Sequence, residues 1–266
     1  TKKPTFDKKD VGLELNKIYL GDCLELMPKI KDKSVDLVLC DLPYGTTKNE
    51  WDTIIPYGLL WEQYGRIIKD NGAILLFSQS PFDKELAMSN IDLFRYEWIW
   101  EKTEATGFLN SSKMPLKAHE NILVFYKKLP TYNPIMTKGA KKVSRVSHRI
   151  KCKESSNYGK HSMVTKDYCS DERYPRSVLK FPKDKQKQQL HPTQKPLAPI
   201  KYFIETYSNK GDVVLDNCVG SGTTPVGCIH TGRYYIGMEK FKDIKDVADL
   251  RVKEAIGDVG LFERSI

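Results

Sequence analysis

The chain has 266 residues, of which 40% are hydrophobic and 29% charged, and its formal net charge is +9. That is a soluble globular composition, long enough for one sizeable core plus a smaller unit; no run approaches the roughly 18 apolar residues of a membrane span, and the polar, lysine-rich start lacks the apolar stretch of a secretory signal. Six scattered cysteines, Cys23, Cys40, Cys152, Cys169, Cys218 and Cys228, form no Cys-x-x-Cys pair; they favour reduced thiols in a cytosolic protein over a disulfide framework, and a zinc site built from Cys152, Cys169, His148 and His161 has poor ligand spacing, so no metal is expected.

Residues 1–14 read as a loose polar tail. Residues 16–20 read as a strand ending at Gly21-Asp22, with Asp22 placed to N-cap a helix over 23–30. Residues 34–40 are a short apolar run, the mark of a buried strand. It delivers Asp41-Leu42-Pro43-Tyr44-Gly45 to its carboxyl end, the edge at which open α/β sheets bind ligands. There a carboxylate can accept a hydrogen bond from an amine and an aromatic ring can stack on a base; an ordinary β-turn would use the same residues. Residues 46–57 are polar and irregular, with Trp51 and Asp52 read as a lid. Residues 59–68 have helical spacing, stopped by Asn71-Gly72, and 73–77 are a buried strand. Ser78 and Gln79 end it and lead to a helix over 83–89. Residues 94–101 and 122–125 read as an antiparallel pair joined by a connector, 102–118, rich in Gly, Ser, Thr and Lys. His119-Glu120 precedes the second strand, and a structural hydrogen bond is the plainer role for His119.

The positive charge is concentrated. Residues 127–187 hold 17 Lys or Arg against 5 Asp or Glu, a net of +12, whereas the remainder carries a net of −3. This is the footprint of a polyanion-binding region, interleaved with Tyr132, Tyr158, Tyr168, Tyr174 and Phe181. Its weak periodicity supports no assignment of strands or helices. The phosphate candidates are Lys138, Lys141, Lys142, Arg145, Arg149 and Lys151; Arg173 and Arg176, which flank Tyr174-Pro175, are candidates for base or phosphate contact.

Residues 199–207 form an amphipathic helix. Next, Val213-Val214-Leu215-Asp216 reads as a strand, and Asn217-Cys218-Val219-Gly220-Ser221-Gly222-Thr223-Thr224 as a glycine-rich turn opening a helix over 224–230. Such turns bring backbone amides close to a ligand. A further strand, 234–238, ends at Glu239, where an acid can bind a ribose hydroxyl pair. The glycine spacing is not the dinucleotide fingerprint, which argues against NAD. A terminal helix is expected over 247–256.

These stretches together resemble the S-adenosylmethionine-dependent DNA amino-methyltransferases. DLPYG is similar to that family's Asp-Pro-Pro-Tyr tetrapeptide, DNCVGSGTT to its cofactor loop, His191-Pro192-Thr193-Gln194-Lys195-Pro196 to the stretch before that loop, and Gly21-Asp22-Cys23-Leu24-Glu25 to the segment before the catalytic strand. The order is that of the permuted β class, and the likeness covers about residues 15–127 and 188–250. Leu42 stands where the family has its first proline, and Asn217-Cys218 where it has Pro-Phe.

The resemblance implies an α/β, Rossmann-like methyltransferase fold with a mixed, mostly parallel seven-stranded sheet, circularly permuted. It implies two halves, 1–127 carrying catalysis and 191–266 the cofactor, around an inserted target-recognition region at 128–190. Asp41, Leu42, Pro43 and Tyr44 would be catalytic: Asp41 and the Leu42 carbonyl accept the two hydrogens of an exocyclic base amine, and Tyr44 stacks on the extruded base. Asp22 would meet the adenine of S-adenosylmethionine, Glu239 its ribose, and Lys195 and Thr223 its carboxylate. Cys23, Asp41, Asp216, Gly220, Ser221, Gly222 and Thr224 complete that cofactor set. The connector would lie near double-stranded DNA, with Phe108 approaching the target base. In this family an initial Asp in the tetrapeptide goes mostly with adenine N6 and an initial Ser with cytosine N4, so adenine is expected, in a restriction-modification or phage setting and in the cytoplasm of a bacterial, archaeal or phage-infected cell. Cytosine N4, RNA, a silent nucleic-acid-binding protein and a homodimer stay open. Carbon-5 methylation is set aside, since no Pro-Cys pair exists to supply its nucleophile.

Overall fold

The computed structural model describes residues 10–49, 51–145, 149–155, 159–164, 168–181 and 194–263. Along the chain these form β1 (Lys17–Leu20), α1 (Cys23–Leu26), β2 (Val35–Asp41), α2 (Tyr57–Ile67), β3 (Ile68–Ser78), α3 (Phe82–Met88), β4 (Phe94–Thr106) and β5 (Lys117–Phe125). Then come β6 (Thr137–Arg145), β7 (Arg149–Ser155), β8 (Gly159–Val164), β9 (Tyr168–Arg173), β10 (Val178–Lys180), α4 (Leu197–Tyr207), β11 (Val213–Asp216), α5 (Thr223–Thr231), β12 (Tyr234–Glu239) and α6 (Lys242–Glu263).

The sheet has eight strands in the order β1-β12-β11-β2-β3-β5-β4-β10. Only β5 runs against its neighbours; every other pairing is parallel. The sheet is therefore mixed and mostly parallel, as expected, but has one strand more than the seven expected. The eighth, β10, is three residues long and adds in parallel to the outer edge of β4.

Parallel strands covered on both faces read as near-continuous apolar runs, and β2 does from Leu37 to Cys40. Its Val38 and Cys40 join a core with Leu60, Tyr64 and Ile67 of α2, while Leu37 and Leu39 face Ile200, Phe203, Ile204 and Tyr207 of α4. β11 divides in the same way, with Val213 and Leu215 on the first face and Val214 on the second. Each such side chain contributes about 1.5–3 kcal/mol when fully buried, which makes the centre of the sheet the rigid part of the scaffold.

Several local expectations change. The helix after Asp22 stays α-helical only over Cys23–Leu26 and tightens to a 3-10 turn at Met27–Lys29; Pro28 has no amide hydrogen with which to continue an α-helix. Residues 10–14 are no loose tail, because Val11 is buried and its carbonyl accepts from Lys31 N–H. Asn71-Gly72 does not stop α2. The helix ends at Ile67 and β3 starts at once, with Gly72 inside the strand, where a Cβ would lie 2.8 Å from the Asp36 carbonyl oxygen. The connector shrinks to 107–116, and α6 runs well beyond the expected 247–256 at both ends.

The loop expected as a lid is stapled from within. Asp52 is buried, and its carboxylate accepts backbone N–H groups of Tyr44, Gly45, Thr46 and Thr47 at 2.6–2.9 Å. Burial pushes this carboxyl up, yet the bonds from Thr47, Gly45 and Tyr44 outweigh it and hold the pKa below the ordinary value.

The chain divides into two compact units: Thr1–Asn133 with Ser177–Ile266, and Pro134–Arg176. The first holds the eight-stranded sheet. The second holds two antiparallel pairs, β6 with β9 and β7 with β8, a strand content that its charge-interrupted sequence had hidden.

Asp52→Ala removes four charge-assisted hydrogen bonds at once. It is expected to lower unfolding stability by about 1–3 kcal/mol, measured by urea denaturation; a midpoint equal to wild type would show that the staple carries no stability.

Candidate active site

β12, β11 and β2 lie side by side and run parallel, so Glu239, Asp216 and Asp41 leave the sheet at one edge. A cavity of about 900 Å³ opens there. Its wall brings together the turn Asp41, Leu42, Pro43 and Tyr44; Asp22 and Cys23 after β1; Lys195 before α4; Asp216; Gly220, Ser221, Thr223 and Thr224; and Glu239. Gly222 is absent from the wall. It is the hinge behind it: it N-caps α5 in the left-handed region at φ +83°, and a Cβ there would lie 2.9 Å from the Ala248 Cβ.

Asp41 is the centre of a linked set of charges. Its Oδ1 accepts from the Tyr44 hydroxyl at 2.7 Å, and its Oδ2 lies 3.0 Å from Lys195 Nζ. The same ammonium is 2.8 Å from Glu120 Oε2, and Lys102 Nζ holds Glu120 Oε1 at 2.6 Å. Two carboxylates and two ammonium groups thus alternate along one wall. Burial raises the Asp41 carboxyl above its usual value, and Lys195 opposes the shift. Burial alone would lower the Lys195 pKa, but Asp41 and Glu120 more than reverse this, so Lys195 is charged. Burial also works against ionised Glu120, and Lys195 and Lys102 overcome it. Tyr44 stacks on Phe82 with ring centroids 4.9 Å apart. Glu120 and Lys102 were missed as site residues by the sequence reading; the signal was an acid beside His119 on an otherwise apolar strand. His119 itself is exposed and pairs in register with Glu101.

The glycine-rich turn is fixed from behind. Arg251 of α6 is buried, and its NH1 donates to the Ser221 carbonyl at 2.6 Å and to the Ser221 hydroxyl at 2.9 Å. Glu239 Oε2 accepts Gly220 N–H and its Oε1 accepts Phe241 N–H, both at 3.0 Å. Burial raises the Glu239 carboxyl despite these bonds. Asn217, in place of the resembled family's proline, accepts from the buried Tyr64 hydroxyl at 2.6 Å, so the departure from the motif has its own packing partner. Cys218 donates its N–H to Asp216 Oδ1 at 3.1 Å. Asp22 N-caps α1 through Leu24 N–H, as expected, and its other oxygen lies 3.2 Å from Lys240. Burial pushes the Cys40 thiol, beneath the site, up to about 12.

The basic candidates fall in the smaller unit. Lys138 and Lys142 of β6 are exposed, and so is Arg176. The half-buried Arg173 uses its NH1 on the carbonyls of Ser170 and Glu172. Lys141, Arg145, Arg149 and Lys151 lie on β6 and β7, but their side chains fall outside the described residues, as do His191, Pro192, Thr193 and, from the zinc set disfavoured above, His148, Cys152 and His161. Cys169 is exposed, and among the described residues no cluster of three metal-ligating side chains occurs.

Burial raises the Asp216 carboxyl to about 7, against bonds from the Thr224 hydroxyl, the Cys218 N–H and the Cys40 thiol. The unfolded value is about 3.9, so the folded protein holds this proton more tightly. The resulting stabilisation is full below about pH 4 and is lost as pH rises through about 7. Asp216→Asn, which cannot ionise, is therefore expected to gain stability relative to wild type between pH 5 and pH 8; a pH-independent difference in urea midpoint would contradict this.

Comparison with known proteins agrees with this geometry. The family model described as DNA methylase, of the N6/N4 type, matches residues 35–249. The chain is 29% identical over 249 residues to DNA adenine methyltransferase YhdJ of Escherichia coli (strain K12), spanning 86% of this chain and 79% of that one. It is 27% identical over 251 residues to the type II methyltransferase M.HpaI of Haemophilus parainfluenzae, spanning 89% and 74%. Among solved structures, the PvuII cytosine-N4-specific DNA methyltransferase superposes with a TM-score of 0.64 at 16% identity over 96% of this chain and 94% of that one. The M1.HpyAVI–SAM complex superposes with a TM-score of 0.58 at 23% identity, over 88% and 98%; both are likenesses of fold. With four-fifths of its length inside the family model, the chain belongs to the N6-adenine/N4-cytosine family of DNA amino-methyltransferases, whose methyl donor is S-adenosylmethionine.

Proposed function

We propose that the protein is a site-specific DNA adenine N6-methyltransferase acting on a base swung out of the duplex. One observation carries this reading: the Asp41 carboxylate and the bend at Gly220-Ser221 share one cavity. The residues suit the donor. The bend brings positive-φ glycine backbone to the wall at Gly220, Glu239 and Asp22 offer carboxylates on the same wall, and Lys195 offers a buried ammonium for a carboxylate group. When bound, S-adenosylmethionine supplies an electrophilic methyl on a sulfonium centre.

The chain's own groups do the rest. An aromatic amine is a weak nucleophile because its lone pair is delocalised into the ring. Asp41 and the Leu42 carbonyl accept its two hydrogens and favour a pyramidal nitrogen with a usable lone pair. Tyr44 and Lys195 each bond one Asp41 oxygen, which opposes the rise that burial causes and fixes the carboxylate while leaving lone pairs for the amine. Glu120 and Lys102 hold Lys195 in turn. Positioning of this kind supplies on the order of 7–11 kcal/mol in well-oriented reactions. Adenine is favoured over cytosine by the Asp at the head of the tetrapeptide and by the likeness to a named adenine enzyme. The basic strand β6 of the smaller unit, which carries Lys138, Lys141, Lys142 and Arg145, suits a phosphate backbone.

Tritiated methyl transfer to duplex DNA, followed by digestion to nucleosides, is expected to give label in 6-methyladenine; label in 4-methylcytosine or only in RNA would replace this reading. Asp41→Ala is expected to cut transfer by about a hundredfold or more while cofactor binding persists; retained turnover would remove Asp41 from its role. Neutralising Lys138, Lys141, Lys142 and Arg145 together is expected to weaken binding and flatten its salt dependence by roughly one unit of log–log slope for each phosphate no longer neutralised, and an unchanged slope would show that β6 does not meet the backbone.

A further inference from the structure

Between β4 and β5 the chain makes a short tip that nothing in the fold requires to be apolar. Gly107 turns it in the left-handed region, and Phe108–Asn110 form a 3-10 turn. Asn110 N–H donates to the Gly107 carbonyl at 3.0 Å, and the N–H groups of Lys113 and Met114 donate to the Asn110 carbonyl at 2.9 and 3.0 Å. The tip is thus a hydrogen-bonded knuckle. On it, Leu109 is 98% exposed and Phe108 78% exposed, with Met114 and Leu116 exposed behind them. Leu109 is the most exposed large apolar side chain among the described residues. Clustered exposed apolar groups of this kind mark interaction sites.

The position of the tip says what covers it. The strand leading into it, from Lys102 to Thr106, forms part of the wall of the cavity that holds Asp41. Phe108 and Leu109 follow within three residues of that wall. Lys113 and Lys117 flank them, both exposed and without a carboxylate partner among the described residues. Apolar side chains bracketed by lysines, beside a pocket for an extruded base, match a base stack bordered by phosphates. Proteins that distort DNA insert Phe, Leu, Ile or Met between base steps in this way, and extrusion leaves a gap in the stack whose formation must be offset.

We infer that the Phe108–Leu109 tip is a wedge that enters the duplex as the target base leaves it. Leu109 fills the vacated stack, Phe108 packs against the neighbouring base, and Lys113 and Lys117 meet the flanking phosphates. The wedge rests on the reading that this site modifies a base extruded from duplex DNA, but not on whether that base is adenine or cytosine.

The experiment uses full-length protein and a synthetic duplex carrying the sequence that it methylates in expressing cells, with the target base either paired or opposite an abasic site. Single-turnover transfer is measured for wild type, Leu109→Ala and Phe108→Ala, with cofactor binding measured alongside. Leu109→Ala is expected to slow transfer to the paired duplex by roughly tenfold or more, and to return to within about threefold of wild type where no partner base must be lost. Its cofactor affinity is expected to be unchanged, as befits a residue that acts only on the duplex. Wild-type rates on the paired duplex, or an equal loss on both duplexes, would overturn the wedge alone. No transfer by wild type to either duplex would overturn the functional reading and the wedge with it.

Discussion

The architecture of the site depends on one pairing, that of β11 against β2. Val214 lies beside Leu37 and Leu215 beside Val38, strands that are some 175 residues apart in the chain. Asp36 reinforces the pairing by accepting Val213 N–H at 2.9 Å while holding Lys69. Because the pairing is parallel, the carboxyl ends of both strands reach the same edge, where ligands gather in open α/β sheets. The Asp41 turn and the glycine bend therefore become neighbours although the chain visits them far apart. β12 and β1 extend the same edge in parallel and add Glu239 and Asp22.

Given that edge, electrostatics fixes the interior of the cavity. Asp41 stands about one-third exposed on the wall, while Glu120, Lys195 and Lys102 are more deeply placed. Buried charges persist when each has a partner, and removing one partner from such a pair costs about 3–5 kcal/mol. The alternation of the four groups meets that condition with no net charge. β5, the one antiparallel strand of the eight-stranded sheet, has its amino end at this edge, and this brings Glu120 to Lys195. Arg251 fixes the glycine bend from behind the cavity wall, and Asp52, itself part of that wall, fixes the Asp41 loop from inside. The reacting groups are thereby held by backbone contacts before any ligand arrives.

Much of this was legible in the sequence where the signal is local. β2, β11 and β12 are mostly apolar runs ending in acids, and the glycines and threonines after Asp216 announce a turn opening a helix. Asp22, Asp41, Lys195 and Glu239 were expected in one site, and all four line one cavity. What was not legible depends on partners remote in sequence. Glu120 reads as a lone acid until Lys195, 75 residues on, supplies its counter-charge. Asp52 reads as loop polarity until its carboxylate meets four amides. Arg251 reads as one more charge on a terminal helix of mixed pattern. The strands of the smaller unit were hidden because lysines interrupt their alternation, and β10 because three residues carry no period. Asn71-Gly72, a strong stop signal by composition, was overridden by the close approach of β2 to β3, which only a glycine tolerates at that point.

The most direct test is a crystal structure of the protein bound to S-adenosylhomocysteine and a duplex that carries its methylated site. The expected result has the target base outside the stack, its exocyclic amine about 3 Å from both the Asp41 carboxylate and the Leu42 carbonyl, with the cofactor lying over the bend at Gly220–Gly222. A base amine held by other groups, or a cofactor bound away from that bend, would contradict it.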